Sequence, residues 1–199
     1  MVIFAANILI MKSLFIAIAF FLTLTLSAQT QKELETNVTQ MYNNTVKGNY
    51  ESLLELTYPK IFDIVPKAQM LEVLKNMING DGYTMMIIDT APNFVYGPIK
   101  KIGTGSYCMI KHDLKMKMIF TERLTAEEGK QMIETFKAGM KTDDVNFDAT
   151  ENSITLKKQA EVIAVADALT QNKWMFLNRS GNPLMAKIFD AKVMKELGL

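Results

Sequence analysis

The chain has 199 residues, 49% of them apolar, one cysteine and a net charge of +1. That length suits one domain with its own core. The near-zero charge argues against nucleic acid as the main partner, because phosphate binding needs a concentrated basic surface, and a lone cysteine excludes an internal disulfide.

Residues 11–28, MKSLFIAIAFFLTLTLSA, have the layout of a signal peptide. Lys12 opens it, Leu14 to Leu26 is apolar apart from Thr23 and Thr25, and small Ser27 and Ala28 precede a polar run. Residues 1–10 then read as an upstream extension, and 29–199 as a single α+β domain. Loss of Lys12 takes the mature charge to 0. The expected location is periplasmic or secreted, with no stable membrane span after cleavage. Export without disulfides fits a bacterial envelope protein.

Residues 31–47 place Leu34, Val38, Met41 and Tyr42 on one helical face, and Gly48 ends the pattern. A short helix after Asn49 carries Leu53, Leu54 and Leu56. Pro59 disfavours α geometry at Tyr58. Pro66 can open a third helix, with Met70, Leu71, Leu74, Met77 and Ile78 as its expected buried side. Strands are expected at 83–90, 94–96 and 99–102. From Cys108 to Phe120 the even positions are Cys108, Ile110, His112, Leu114, Met116, Met118 and Phe120, while Lys111, Asp113, Lys115 and Lys117 alternate with them. Period-two alternation predicts a strand with one buried and one charged face.

Thr125 and Glu128 form a capping box ahead of Met132, Ile133, Phe136 and Met140, which predicts a helix over 125–140. Strands follow at 145–147, 153–166 and 173–177, then a helix opened by Pro183 and a terminal apolar cluster.

Helices gathered on one side of a mostly antiparallel sheet define an α+β fold. The opening helix, Gly48-Asn49-Tyr50, then Leu53-Leu54-Glu55-Leu56-Thr57-Tyr58-Pro59 and a long sheet region resemble the NTF2-like, cystatin-like cone superfamily. The resemblance covers roughly residues 31–180. It implies a curved, mostly antiparallel sheet with helices packed on its concave side. It also implies a pocket of the kind that isomerases, dehydratases and binding domains share.

His112, the only histidine, is the candidate general acid or base. Asp63 and Asp89 are its candidate carboxylate partners. Tyr58, Tyr83, Met86, Met116, Met118 and Trp174 are candidate ligand contacts, because methionine and aromatic side chains adapt to apolar ligands. One histidine, one cysteine and no His-Glu-x-x-His segment leave no zinc set, so no metal is expected. No cofactor motif is present either. Cys108 and His112 stand about 13 Å apart along a strand, too far for a thiolate–imidazole pair. Three functions follow as expectations: binding of a small apolar ligand or a protein partner, an isomerase-like or dehydratase-like reaction at His112, and a structural homodimer.

Overall fold

The computed structural model describes residues 31–179 and 182–199, so the extension and signal read at 1–28 lie outside the described residues. The chain divides into two compact units, Met1–Val38 and Thr39–Leu199. Of the first, residues 31–38 are described and are helical. Helix α1 spans 31–46. Gly48 follows it with φ +68°, a left-handed turn that glycine adopts without steric cost. Helix α2 is Tyr50–Glu55, a 3-10 turn covers Pro59–Asp63, and α3 is Lys67–Ile78.

The strands are β1 (Asn79–Gly80), β2 (Tyr83–Ile87), β3 (Val95–Tyr96), β4 (Lys100–Ile102), β5 (Gly105–Phe120), β6 (Val145–Asp148), β7 (Ser153–Ala166) and β8 (Met175–Asn178). Helix α4 (Ala126–Met140) separates β5 from β6; α5 (Asn182–Ile188) and α6 (Ala191–Leu197) end the chain. The expected capping box is present: the Thr125 hydroxyl accepts the Glu128 amide, and the Glu128 carboxylate accepts the Thr125 amide.

The sheet is built on β5 and β7. They pair antiparallel from Ser106↔Ala166 to Ile119↔Ser153 without interruption. The outer edge of β5 takes β4, β3 and β2 in turn, and that of β7 takes β8 and β6. At about 3.3 Å per residue, the sixteen residues of β5 make a ribbon about 50 Å long.

This sheet is open. Its path runs β1-β2-β5-β7-β6, and the ends do not meet. The NTF2-like cone implied by the opening residues is therefore incorrect, and so is the curved sheet with helices on a concave side. Curling a sheet calls for bulges or kinks, and the β5–β7 register has none. Helices also cover both faces. Tyr107, Ile163, Val165 and Leu177 share one face and form a core with Met185, Ile188, Val193 and Leu197 from α5 and α6. On the opposite face, Gly129 of α4 sits on the Phe147 ring.

Helix α3 departs from its expected packing. None of its residues is buried, and Met77 is 46% exposed. Its neighbours are α2, β1 and β2 at a corner of the sheet, too little surface to cover an apolar stripe.

Gly129 is the closest approach of α4 to the sheet. A Cβ there would lie 2.3 Å from Phe147 Cδ1 and 2.9 Å from its Cγ. Helix propensity favours alanine over glycine by about 1 kcal/mol, while overpacking costs about 1–3 kcal/mol. Because the clash reaches the root of the ring, overpacking wins. Gly129→Ala is expected to lower the thermal unfolding midpoint by a few degrees, at about 2–4 °C per kcal/mol. A raised midpoint would show that α4 moves away freely.

Candidate functional site

The even and odd residues of β5 face opposite sides, and the register gives each its neighbours. Cys108, Ile110 and His112 share a face with Ala164, Val162 and Ala160. Further along that face come Met116 beside Leu156 and Ile87, and Met118 beside Ile154 and Met85. Lys111, Asp113, Lys115 and Lys117 line the other face, as the alternation predicts.

His112 is buried, at 6% exposure. Tyr42 stands edge-on to its ring with centroids 5.9 Å apart, and Phe94 lies 5.9 Å away on another side. Tyr42 is fixed in turn by its hydroxyl, which donates to the Thr90 carbonyl at 2.8 Å. His112 Nδ1 lies 3.2 Å from the Asp113 carbonyl oxygen. Burial lowers the His112 pKa below its ordinary 6.5, and the Asp113 carbonyl and charge offset this only in part. Among the described residues no carboxylate hydrogen-bonds the ring. The Asp113 side chain instead accepts from Asn93 at 2.8 Å. Asp63 is exposed at the end of the 3-10 turn, and Asp89 is exposed just past β2. Neither is joined to His112 by a hydrogen bond or ion pair. Cys108 donates to the Gly97 carbonyl at 3.3 Å, and burial pushes its thiol up to about 11.

The six candidate ligand residues fall into separate places. Tyr58 is 2% exposed, stacks on Phe189 at 6.0 Å and donates to Asp167 at 2.6 Å. Burial and that carboxylate raise its pKa strongly. Trp174 is 1% exposed, just ahead of β8. Met86 pairs with Lys117 and is 39% exposed on the charged face. Tyr83, Met116 and Met118 do come together on one face of the sheet, the face on which α4 packs over β6 and β7.

The covering by α4 is incomplete. Met132, Ile133, Phe136 and Met140 of α4 are all only half-buried. So are Tyr83, Met85, Met116, Met118, Val145 and Phe147 on the sheet. Around them only Gly129, Ile154, Leu156 and Ser153 are fully buried. The other half of the ribbon differs: Cys108, Ile110, Val162, Ile163, Ala164 and Val165 are all 0% exposed.

Two concavities lie elsewhere. A groove of about 580 Å³ crosses the middle of the ribbon, with Thr90, Asp113, Lys115, Asp144 and Lys157 among its walls. Two of its charges pair with each other, Lys157 with Asp144 at 3.6 Å. A cleft of about 250 Å³ at the start of β5 involves Tyr107, Asp167 and Asp190. Tyr107 and Asp190 carry no sequence signal as a site, because they come from separate segments. Asp190 is visible only as the N-cap of α6, where it accepts the Val193 amide.

Among the described residues no group of three or more potential metal-ligating side chains stands together, and no helix is long and apolar enough to cross a membrane. In comparison with known proteins, the chain matches no family model and no curated protein to a significant degree.

The depressed His112 pKa has a signed consequence. On acidification the unfolded chain takes up the proton first. The stability held by neutral His112 is therefore complete above about pH 6.5 and is lost as the pH falls through the lower folded-state value. His112→Phe is expected to flatten the fall in stability between about pH 7 and 5, read as the urea midpoint at each pH. Parallel curves for the two proteins would contradict a buried, neutral histidine.

Proposed function

We propose that this protein is a non-catalytic binding module for a small apolar or amphipathic ligand, held between α4 and the methionine-rich half of the ribbon. The observation that supports it is the half-exposure of the apolar residues of α4 and of the methionine-rich stretch on the same sheet face, next to fully buried residues on the same two strands. Exposed apolar surface costs about 25 cal/mol per Å² relative to burial. A ligand that fills this layer recovers that free energy. Unbranched methionine side chains can re-form around its shape. Met116, Met118 and Tyr83 contact it from the sheet, and Met132 and Phe136 from the helix. The apolar segment at 11–28 supports a periplasmic or secreted setting, where such ligands are exchanged between membranes and carriers.

The reading is tested with N-phenyl-1-naphthylamine, an apolar probe that fluoresces on leaving water. The purified protein is expected to bind it saturably. Met118→Lys and Met132→Lys, one from each layer, should each weaken binding about tenfold or more. Met86→Lys, on the opposite face of β2, should leave it unchanged. Unsaturable fluorescence, or equal loss in all three variants at unchanged circular dichroism, would remove the reading.

A further inference from the structure

The end of the ribbon away from α4 holds the 250 Å³ cleft, and three segments build it: the Gly103–Gly105 turn, the chain after β7 from Asp167, and the first turn of α6. Tyr107 lines it and is 7% exposed, its ring edge-on to Phe189 at 6.1 Å. A Cβ on Gly105 would stand 2.8 Å from the Tyr107 hydroxyl oxygen, so glycine leaves the hydroxyl its place in the cleft. Among the described residues that hydroxyl has no hydrogen-bond partner. The hydroxyl oxygen is not one of the enclosed unpartnered atoms, so it opens to the cleft although the ring behind it is buried. The contrast is local: the neighbouring Tyr58 hydroxyl donates to Asp167 at 2.6 Å.

Two carboxylates, Asp167 and Asp190, line the same cleft as this hydroxyl. Burial, and after it the charges of Asp167 and Asp190, raise the Tyr107 pKa. Asp167 is already engaged, since its Oδ1 also accepts the Leu169 and Thr170 amides at 2.9 and 3.1 Å. Among the described residues Asp190 accepts only the Val193 amide, at 2.8 Å on Oδ1, and its exposed side chain leaves the other oxygen open to solvent and to a ligand. The vacant positions are thus one carboxylate oxygen and one phenol oxygen in a negative field. An anion is repelled there, and a purely apolar group leaves both oxygens unpaired. An ammonium group carries three donors and the opposite charge. Lys192, exposed on the rim, can receive a carboxylate on the same molecule.

We propose that this cleft is a second binding site, for a small organic primary ammonium compound, with Tyr107 and Asp190 as its acceptors. The site is independent of the apolar layer beneath α4, and either can fail without the other.

The test titrates the purified protein with n-propylamine, alanine and N-acetylalanine, followed calorimetrically. Propylamine and alanine are expected to saturate, and N-acetylalanine, which lacks the ammonium, to bind about tenfold more weakly or not at all. Tyr107→Phe keeps the ring, and Asp190→Asn keeps an equally good N-cap for α6. Each should weaken amine binding about tenfold or more. Loss of alanine binding alone in Lys192→Gln marks a zwitterionic ligand; no change there marks a simple amine. The proposal is overturned if neither amine saturates by about 10 mM, if N-acetylalanine binds equally well, or if both acceptor variants bind like the parent.

Discussion

The unbroken pairing of β5 with β7 is the constraint on which the other parts depend. Because side chains alternate strictly, a slip of one residue would move Cys108, Ile110 and His112 to the charged side and bring Lys111 and Asp113 into the core. Burying an unpaired charge costs several kcal/mol, and each apolar side chain turned outward forfeits roughly 1.5–3 kcal/mol. The register is therefore strongly specified. Every short strand then takes its position from the ribbon. β4, β3 and β2 follow one edge of β5, while β8 and β6 follow the outer edge of β7.

That ribbon is longer than one compact core can cover. At the end where β5 begins, both faces are sealed, one by the terminal helices and the 3-10 turn, the other around Cys108, Ile110, Val162 and Ala164. At the far end one face carries the lysines, and the helices nearby are α4 over β6 and β7 and α3 beside β1 and β2. Contact there is closest at Gly129, and the methionines stay partly wet. Local opening of a protein starts where buried apolar contacts are few. By that criterion α3, with no buried residue, and α4, with only Gly129 buried, are the elements that open most easily, while the sealed half holds the register.

Much of this was readable from residue order, and the gaps have physical causes. The alternation in β5 located its two faces, and Thr125 with Glu128 located the start of α4. Both signals are local. Curvature is not local: it depends on whether two strands separated by the whole of α4 pair without a bulge, and the helix-turn-helix opening carries no information on that. The apolar stripe of α3 shows the same limit. Periodicity says which side of a helix would be buried, not whether anything is there to bury it. His112 was correctly placed on the apolar face, but its neighbours Tyr42 and Phe94 come from distant segments, and no spacing rule links them. Tyr107, Asp167 and Asp190 converge by the same kind of long-range closure.

The division of polar groups into spent and unspent ones is the basis for proposing binding rather than turnover. A general base needs a pKa near working pH and usually an orienting partner. His112 has been desolvated between two aromatic rings and lacks a carboxylate partner. Tyr58 and Asp167 satisfy one another, and Arg179 with Glu161 does the same at 2.5 Å beside the ribbon. These contacts close off reactive groups and hold segments together. What remains unspent is of another kind: an adaptable apolar layer under a loosely seated helix, and a phenol oxygen beside a half-used carboxylate. Neither requires a proton to move. In the proposed reading each would gain free energy from a complementary molecule, and the continuous β5–β7 pairing keeps the two places apart.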